Sequence, residues 1–271
     1  MKKSYIRKAI IAAAGTGSRL APLTHAIPKE MLPIGRKPVL HYIVDELRSA
    51  GIREVLFIVS QYKLGIIEKY FRAGRKCGLK FDYLVQHKPS GSGQAVLCAQ
   101  SWVGKEYFAV AWGDTLVYDS PQSEPPLKRM IRYAVDLNAD ALVLTERVSR
   151  HNKHAFRHAV VPFSKPYRSE FWSVARIIAA ESRACRPRVC AGIAGRWVLS
   201  PSIFDYFQQL PADKEMYLVD AVSCFLSVKG ALTAMVLRGN EHWCDIGTWN
   251  SYLRASLLGI YRERLRKFSS L

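Results

Sequence analysis

The chain contains no Cys-x-x-Cys pair. Its cysteines, Cys77, Cys98, Cys185, Cys190, Cys224 and Cys244, are spread along 271 residues, a spacing that argues against a zinc site. They suit incidental thiols in a reducing cytoplasm. No apolar run is long enough to span a membrane. The stretch AIIAAAG follows basic residues as a leader peptide would, but it is too short and Arg19 comes too soon. There is no internal repeat and no low-complexity linker. Acidic residues are scarce: Asp and Glu number 22 against 40 Lys and Arg, a net charge of +18. That excess favours anionic partners such as nucleotides, sugar phosphates, nucleic acid or an acidic surface. The basic residues are scattered and form no nucleic-acid motif, which argues against nucleic acid. Lys2, Lys3, Arg7 and Lys8 at one end, and Arg262, Arg264, Arg266 and Lys267 at the other, read as solvated tails. With 49% hydrophobic residues, the chain can bury the core of one large domain.

The apolar run Ala9 to Ala14 reads as a short buried strand, and Gly15-Thr16-Gly17 breaks it. Glycines let backbone N–H groups approach a ligand with no Cβ in the way. Arg19 and Lys29 add positive charge nearby, so the segment suits a polyphosphate. It is neither of the common phosphate loops: no third glycine completes GxGxxG, and no GK[ST] follows. A lone GxG is more often only a turn. What lifts this one is Arg19 and the later Pro28-Lys29-Glu30-Met31-Leu32-Pro33.

The first half alternates. Helical spacing appears over Val39–Ala50, Leu64–Phe71, Gln94–Gln100 and Pro126–Asp136, and strand runs over Val55–Val59, Phe81–Val85, Tyr107–Trp112 and Ala141–Thr145. This predicts an α/β fold: a Rossmann-like mixed, mostly parallel sheet with helices on both faces. Ligands on such sheets bind at the carboxyl ends of the strands, where the Gly15 loop and the Gly113-Asp114 turn both sit. Residues 150–190 give only weak strand signals. Strand and helix patterns resume over Ala191–Leu199, Ser202–Gln209, Leu218–Val228 and Ala231–Val236, and Trp249–Arg264 reads as a terminal helix.

The stretch from Gly15 to Pro33 resembles the signature of the sugar-phosphate nucleotidylyltransferases. Within that family AIPKEMLPIGRKPVLHYIVDELRSAGIREVLFIVS is most similar to the bacterial UTP–glucose-1-phosphate uridylyltransferases. SGSGQAVLCAQ, WGDTLV, AGRWVLS, DKEMYLVDAV and WCDIGTWNSYLRA resemble later family segments in the same order. The resemblance implies one domain over residues 1–271. About 1–145 would be the nucleotide-binding half, and about 146–271 a smaller sugar-phosphate half with the C-terminal helix. It implies catalytic Arg19 and Lys29, and nucleotide contacts from Ala14, Gly15, Thr16, Gly17, Gln86, Gly91 and Asp114. Glu215 would accept sugar hydroxyls, and Asp114 and Asp245 would hold Mg²⁺. A Gln86 carboxamide can meet the N3–H and O4 edge of uracil or thymine, so UTP and dTTP both fit. Asp220 matches a neighbouring position, where a structural role is at least as good a reading. The implied partners are a nucleoside triphosphate and a sugar 1-phosphate, with a homo-oligomer and a cytoplasmic location.

Three departures stand out. The family's Glu-Lys-Pro, whose Lys meets the sugar phosphate, falls near Ala179, Ala180 and Glu181, where no lysine is present. The family's Tyr-Gly-Val-Val is His158-Ala159-Val160-Val161, and His25 stands where close relatives carry Lys. A substitute cation is then expected from Arg176 or Arg183. Strand alternation makes Arg176 the better candidate, since it shares a face with Ala180. The alternatives are a different sugar phosphate, or a catalytically impaired nucleotide-binding paralogue.

Overall fold

The computed structural model describes residues 5–72, 78–88, 90–118, 123–137, 139–163, 170–187, 189–211, 214–228 and 230–268. Cys77, Lys2 and Lys3 lie outside this range, and so do the side chains of Arg262, Arg264, Arg266 and Lys267. The strands are β1 (Lys8–Ala13), β2 (Pro33–Ile34), β3 (Lys37–Pro38), β4 (Glu54–Val59), β5 (Lys80–Val85), β6 (Phe108–Trp112), β7 (Thr115–Tyr118), β8 (Ala141–Arg147), β9 (His158–Pro162), β10 (Phe171–Ala179), β11 (Ala191–Leu199), β12 (Leu232–Val236) and β13 (His242–Asp245). Nine of them form one sheet in the order β5-β4-β1-β6-β11-β8-β12-β10-β9.

Ala9, Ile10 and Ile11 are fully buried because helices cover both faces of β1. On one face Val39, Ile43, Leu47, Ile67, Phe71, Leu127 and Met130 join a core with Ile11 and Phe57. On the other, Ala95, Val96, Phe204, Val222 and Phe225 pack with Ile10, Val110 and Trp197. β1 pairs in parallel with β4 and β6, and β4 with β5. Their carboxyl ends therefore open on one side, beneath the Gly15, Gln86 and Gly113 loops. Beyond β6 the sheet is mixed. β11 runs antiparallel to β6 and β8, β12 is parallel to β8, and β10 is antiparallel to β12 and β9.

Three features differ from the sequence expectation. Residues 150–190, read as weak in strand signal, supply β9 and β10, of which β10 pairs with β12 and β9, and β9 pairs back onto β11 as well. The helix expected from Gln94 starts at Ser92. A two-stranded ribbon of β7 and β13, with Asp245 opposite Thr115, had no sequence signal. No helix among the described residues is long and apolar enough to cross a membrane.

Candidate active site

A cavity of about 900 Å³ opens over the carboxyl ends of β1, β5 and β6 and extends to β9 and β10. Ala14, Gly15, Arg19, Lys29, Gln86, Gly91, Asp114, Glu215 and Asp245 all line it. Thr16 and Gly17 belong to the same loop but are not among the lining residues. Gly17 has φ +74°, and a Cβ there would meet Thr24 Cγ2 at 3.0 Å, so a side chain would be strained. The Lys29 ammonium lies against the loop, since a Cβ on Gly15 would meet its Nζ at 3.6 Å.

The loop is held from below by a residue that sequence reasoning missed. Lys63, in the helix Gln61–Arg72, donates to Ala13 O at 2.9 Å, to Gly15 O at 2.5 Å and to both Glu30 carboxylate oxygens at 2.8 Å. Burial pulls the Lys63 amine down and pushes the Glu30 carboxyl up, while their mutual charge opposes both. The three N–H donors of a Lys63 ammonium serve these four acceptor oxygens, two of them on the same carboxylate. The available signal was its place, one turn into a helix that follows β4 at the ligand end of the sheet.

The ribbon brings the two distant aspartates together. Asp245 pairs with Thr115, and Ile246 N–H donates to Asp114 O at 2.9 Å. Lys29 Nζ meets Asp114 Oδ2 at 2.5 Å. Burial works against both charges, but their attraction outweighs it: the Lys29 pKa stands above its usual value and the Asp114 pKa below. Asp245 goes the other way. Burial first, and then the Asp114 charge, push its carboxyl up against the pull of a Ser251 hydrogen bond and of Arg19. A Cβ on Gly247 would fall 2.6 Å from Arg19 Nη2 and 2.7 Å from Asp245 Oδ2, so guanidinium and carboxylate lie side by side. Arg196, fully buried, braces this corner by donating to Thr115 Oγ1 at 2.7 Å, Thr115 O at 2.9 Å and Glu46 Oε2 at 2.8 Å. Two facing carboxylates beside two cations can take a metal-bridged polyphosphate. Among the described residues no three His, Cys, Asp or Glu cluster into a self-sufficient metal site.

At the Gln86 end the geometry narrows the sequence reading. Gln86 Nε2 donates to Gly91 O at 3.4 Å and to Gln94 Oε1. Its donor side is therefore engaged, and Oε1 is what the carboxamide has left for a ligand. Gly91 has φ +96°, and a Cβ there would lie 2.2 Å from Met216 O, so only glycine fits.

The opposite end of the cavity is lined by His154, Arg157, His158, Ala179, Glu181, Glu215 and Tyr217. Tyr217 donates its hydroxyl to Glu215 Oε2, and the Arg157 guanidinium lies over the Tyr217 ring, 4.1 Å from its centroid. Asp220 accepts the Tyr217 N–H at 3.2 Å, the structural alternative for that residue. Arg176 is not brought here, and neither is Arg183. Alternation does put Arg176, Ile178 and Ala180 in one phase. That phase leads to Ala180, fully buried in a cluster with Phe156, Cys185 and Cys190. The cavity wall is formed by Ala179 and Glu181, one residue out of phase, and Arg176 is exposed to solvent away from it. Arg157, which sequence reasoning did not single out, is the Lys or Arg that lines this wall among the described residues.

Comparison with known proteins follows the same lines. The chain is 30% identical over 277 residues to the UTP–glucose-1-phosphate uridylyltransferase of Mycoplasma genitalium, covering 94% of this chain and 92% of that protein. It is 32% identical over 247 residues to a UTP–glucose-1-phosphate uridylyltransferase of Bacillus subtilis (strain 168), covering 82% and 80%. The solved UTP-bound UGPase from Acinetobacter baumannii superposes with a TM-score of 0.78 at 26% identity, over 96% of this chain and 98% of that one. The nucleotidyl transferase family pattern matches residues 8–259, so both ends of the cavity fall inside it and the chain belongs to the nucleotidyl transferase family.

Proposed function

We propose that the chain joins UTP to a sugar 1-phosphate, glucose 1-phosphate first among them, releasing pyrophosphate. The observation that carries this reading is the meeting of Asp114, Asp245, Lys29 and Arg19 beside the Gly15 loop. An oxygen of the sugar phosphate attacks the α-phosphorus, the bond to the β-phosphate oxygen breaks, and pyrophosphate leaves with the electron pair. Such a transfer needs positioning and charge neutralisation more than covalent help. The amides of Ala14, Gly15, Thr16 and Gly17 hold the triphosphate, and Arg19 and Lys29 neutralise it. Gln86 Oε1 accepts the N3–H of the pyrimidine, with Gly91 packed against the ring. Glu215 accepts a sugar hydroxyl.

Asp114 and Asp245 fit Mg²⁺, which takes one or two carboxylates and completes its shell with phosphate oxygens and water. When bound it would neutralise the phosphates and polarise the α-phosphoryl group. Thymine presents the same N3–H, so dTTP remains the second nucleotide to test. The deciding assay follows pyrophosphate release from purified protein with Mg²⁺, glucose 1-phosphate and each of UTP, dTTP, CTP and ATP. Release with UTP above the others supports the reading. No release with any pair leaves a nucleotide-binding protein without transferase activity.

A further inference from the structure

We propose that Arg157 is the residue that meets the anionic group of the sugar substrate, an inference that rests on the transferase reading. The cavity wall carries Arg19, Lys29 and Arg157 as permanent cations. Lys29 is paired with Asp114 at 2.5 Å, and Arg19 lies beside Asp245. Both belong to the nucleotide end. Among the described residues Arg157 alone brings a fixed positive charge to the end lined by Ala179, Glu181, Glu215 and Tyr217, and it forms no ion pair with any of them.

Its surroundings hold it and leave it donors for a ligand. The guanidinium sits over the Tyr217 ring, 4.1 Å from its centroid, and hydrogen-bonds the same side chain, which orients it while its remaining N–H groups stay available. The backbone is pinned as well: Ala180 N–H donates to Arg157 O at 3.0 Å, and His158 pairs with Ala179 in the β9–β10 ladder. Arg157 therefore stands directly across from Ala179-Ala180-Glu181, the stretch that supplies no cation. His158 does not share the task, because burial and then the Arg157 charge lower its pKa and keep the imidazole neutral. The neighbouring Glu181 and Glu215 are acceptors. They suit hydroxyls, repel anions, and leave the anionic group to Arg157. One cation between two carboxylate acceptors is the chemistry of a sugar carrying an anion.

That anion is the 1-phosphate, or a carboxylate on the sugar ring as in a uronic acid 1-phosphate. The test uses the full chain and the variants Arg157→Met, Arg157→Lys and Arg176→Met. Michaelis constants for UTP, glucose 1-phosphate and glucuronic acid 1-phosphate are measured with Mg²⁺, and calorimetry follows each sugar phosphate without turnover. Arg157→Met should weaken sugar-phosphate binding about 10- to 100-fold, the worth of hydrogen bonds to a charged group. The UTP constant should stay within about twofold, and Arg157→Lys should recover part of the loss because it restores charge without the planar fork. Equal losses for both sugars identify the 1-phosphate as the partner. A loss confined to glucuronic acid 1-phosphate identifies the carboxylate. Unchanged binding of both sugars, an equal loss of UTP, an equal effect of Arg176→Met, or no sugar-phosphate binding by wild type would each overturn the assignment. Pyrophosphate release by wild type that is indifferent to Arg157 rejects this inference and keeps the transferase. Arg157-dependent binding without pyrophosphate release does the reverse.

Discussion

Lys63→Met removes the post beneath the phosphate loop. The Lys63 side chain is 3% exposed and its partner Glu30 is 1% exposed, so the variant strands a buried carboxylate. It also strips Ala13 O and Gly15 O of their side-chain donor. Breaking one side of a buried pair typically costs about 3–5 kcal/mol, a large part of a total stability of roughly 5–15 kcal/mol. At about 2–4 °C per kcal/mol for a chain of this size, the melting temperature should fall by about 6–20 °C. Replacing the pair together, as Lys63→Met with Glu30→Gln, should cost less than the two single variants summed, because no charge is left buried alone. The loop should loosen as well, so the dissociation constant for UTP should rise in calorimetry below the melting range. Melting by circular dichroism on the two single variants and the double variant gives the full cycle. A fall of under about 2 °C for Lys63→Met, or a double variant worse than the sum, would refute this account of the loop.

Asp114→Asn and Asp245→Asn should each cut kcat/KM about 10²- to 10³-fold at fixed Mg²⁺, the loss of several kcal/mol of charge stabilisation; unchanged turnover in both variants removes the metal role. Gln94→Leu frees the Gln86 carboxamide to turn its donor side to a ligand, so the UTP preference over CTP should shrink about tenfold, the worth of one hydrogen bond. An unaltered UTP-to-CTP ratio of kcat/KM counts against Gln94 as the orienting group. His41 lies below its ordinary value of 6.5, chiefly through burial, with Asp45 opposing and Lys37 and Arg48 adding to the fall. Its folded pKa is depressed, so its contribution is present above 6.5 and is lost as the pH falls through the folded value. His41→Gln should flatten that acid limb of the melting temperature, and a variant that tracks wild type from about pH 8 to about pH 5 would exclude it.

The parallel part of the sheet was legible because burial on both faces writes long apolar runs. Ala9 to Ala13, Val55 to Val59 and Phe108 to Ala111 are such runs, and each ends where the chain must turn. The glycine loop was legible for the same reason: Gly17 at positive φ breaks the run in plain view. β7 and β13 were not. Thr115–Tyr118 and His242–Asp245 carry little periodicity, and what makes them strands is each other. Only the family resemblance joined Asp114 to Asp245, since no local rule reads a pairing across so long a gap. β9 and β10 were hidden differently. Both are paired on two sides, β10 with β12 and β9, and β9 with β10 and β11, but much of β10 is only partly buried, so polar and basic residues are tolerated and the strand signal fades.

The sugar end shows how little separates a right pattern from a right site. Alternation correctly grouped Arg176 with Ala180, yet it says nothing about which phase faces the ligand. A strand with one face on a core and one on a cavity keeps the same period in both registers. What fixes the phase is tertiary: the cluster of Phe156, Cys185 and Cys190 claims Ala180, so Ala179 is left to the cavity. Once that phase is set, the cation must come from a neighbour across the ladder instead of from β10 itself. Arg157 precedes β9 in a segment whose pattern carries no periodic signal, and its position is decided by the ring of Tyr217, sixty residues on. A contact between side chains so far apart in sequence exists only in the folded chain, and so the charge that completes this end of the site could be located only there.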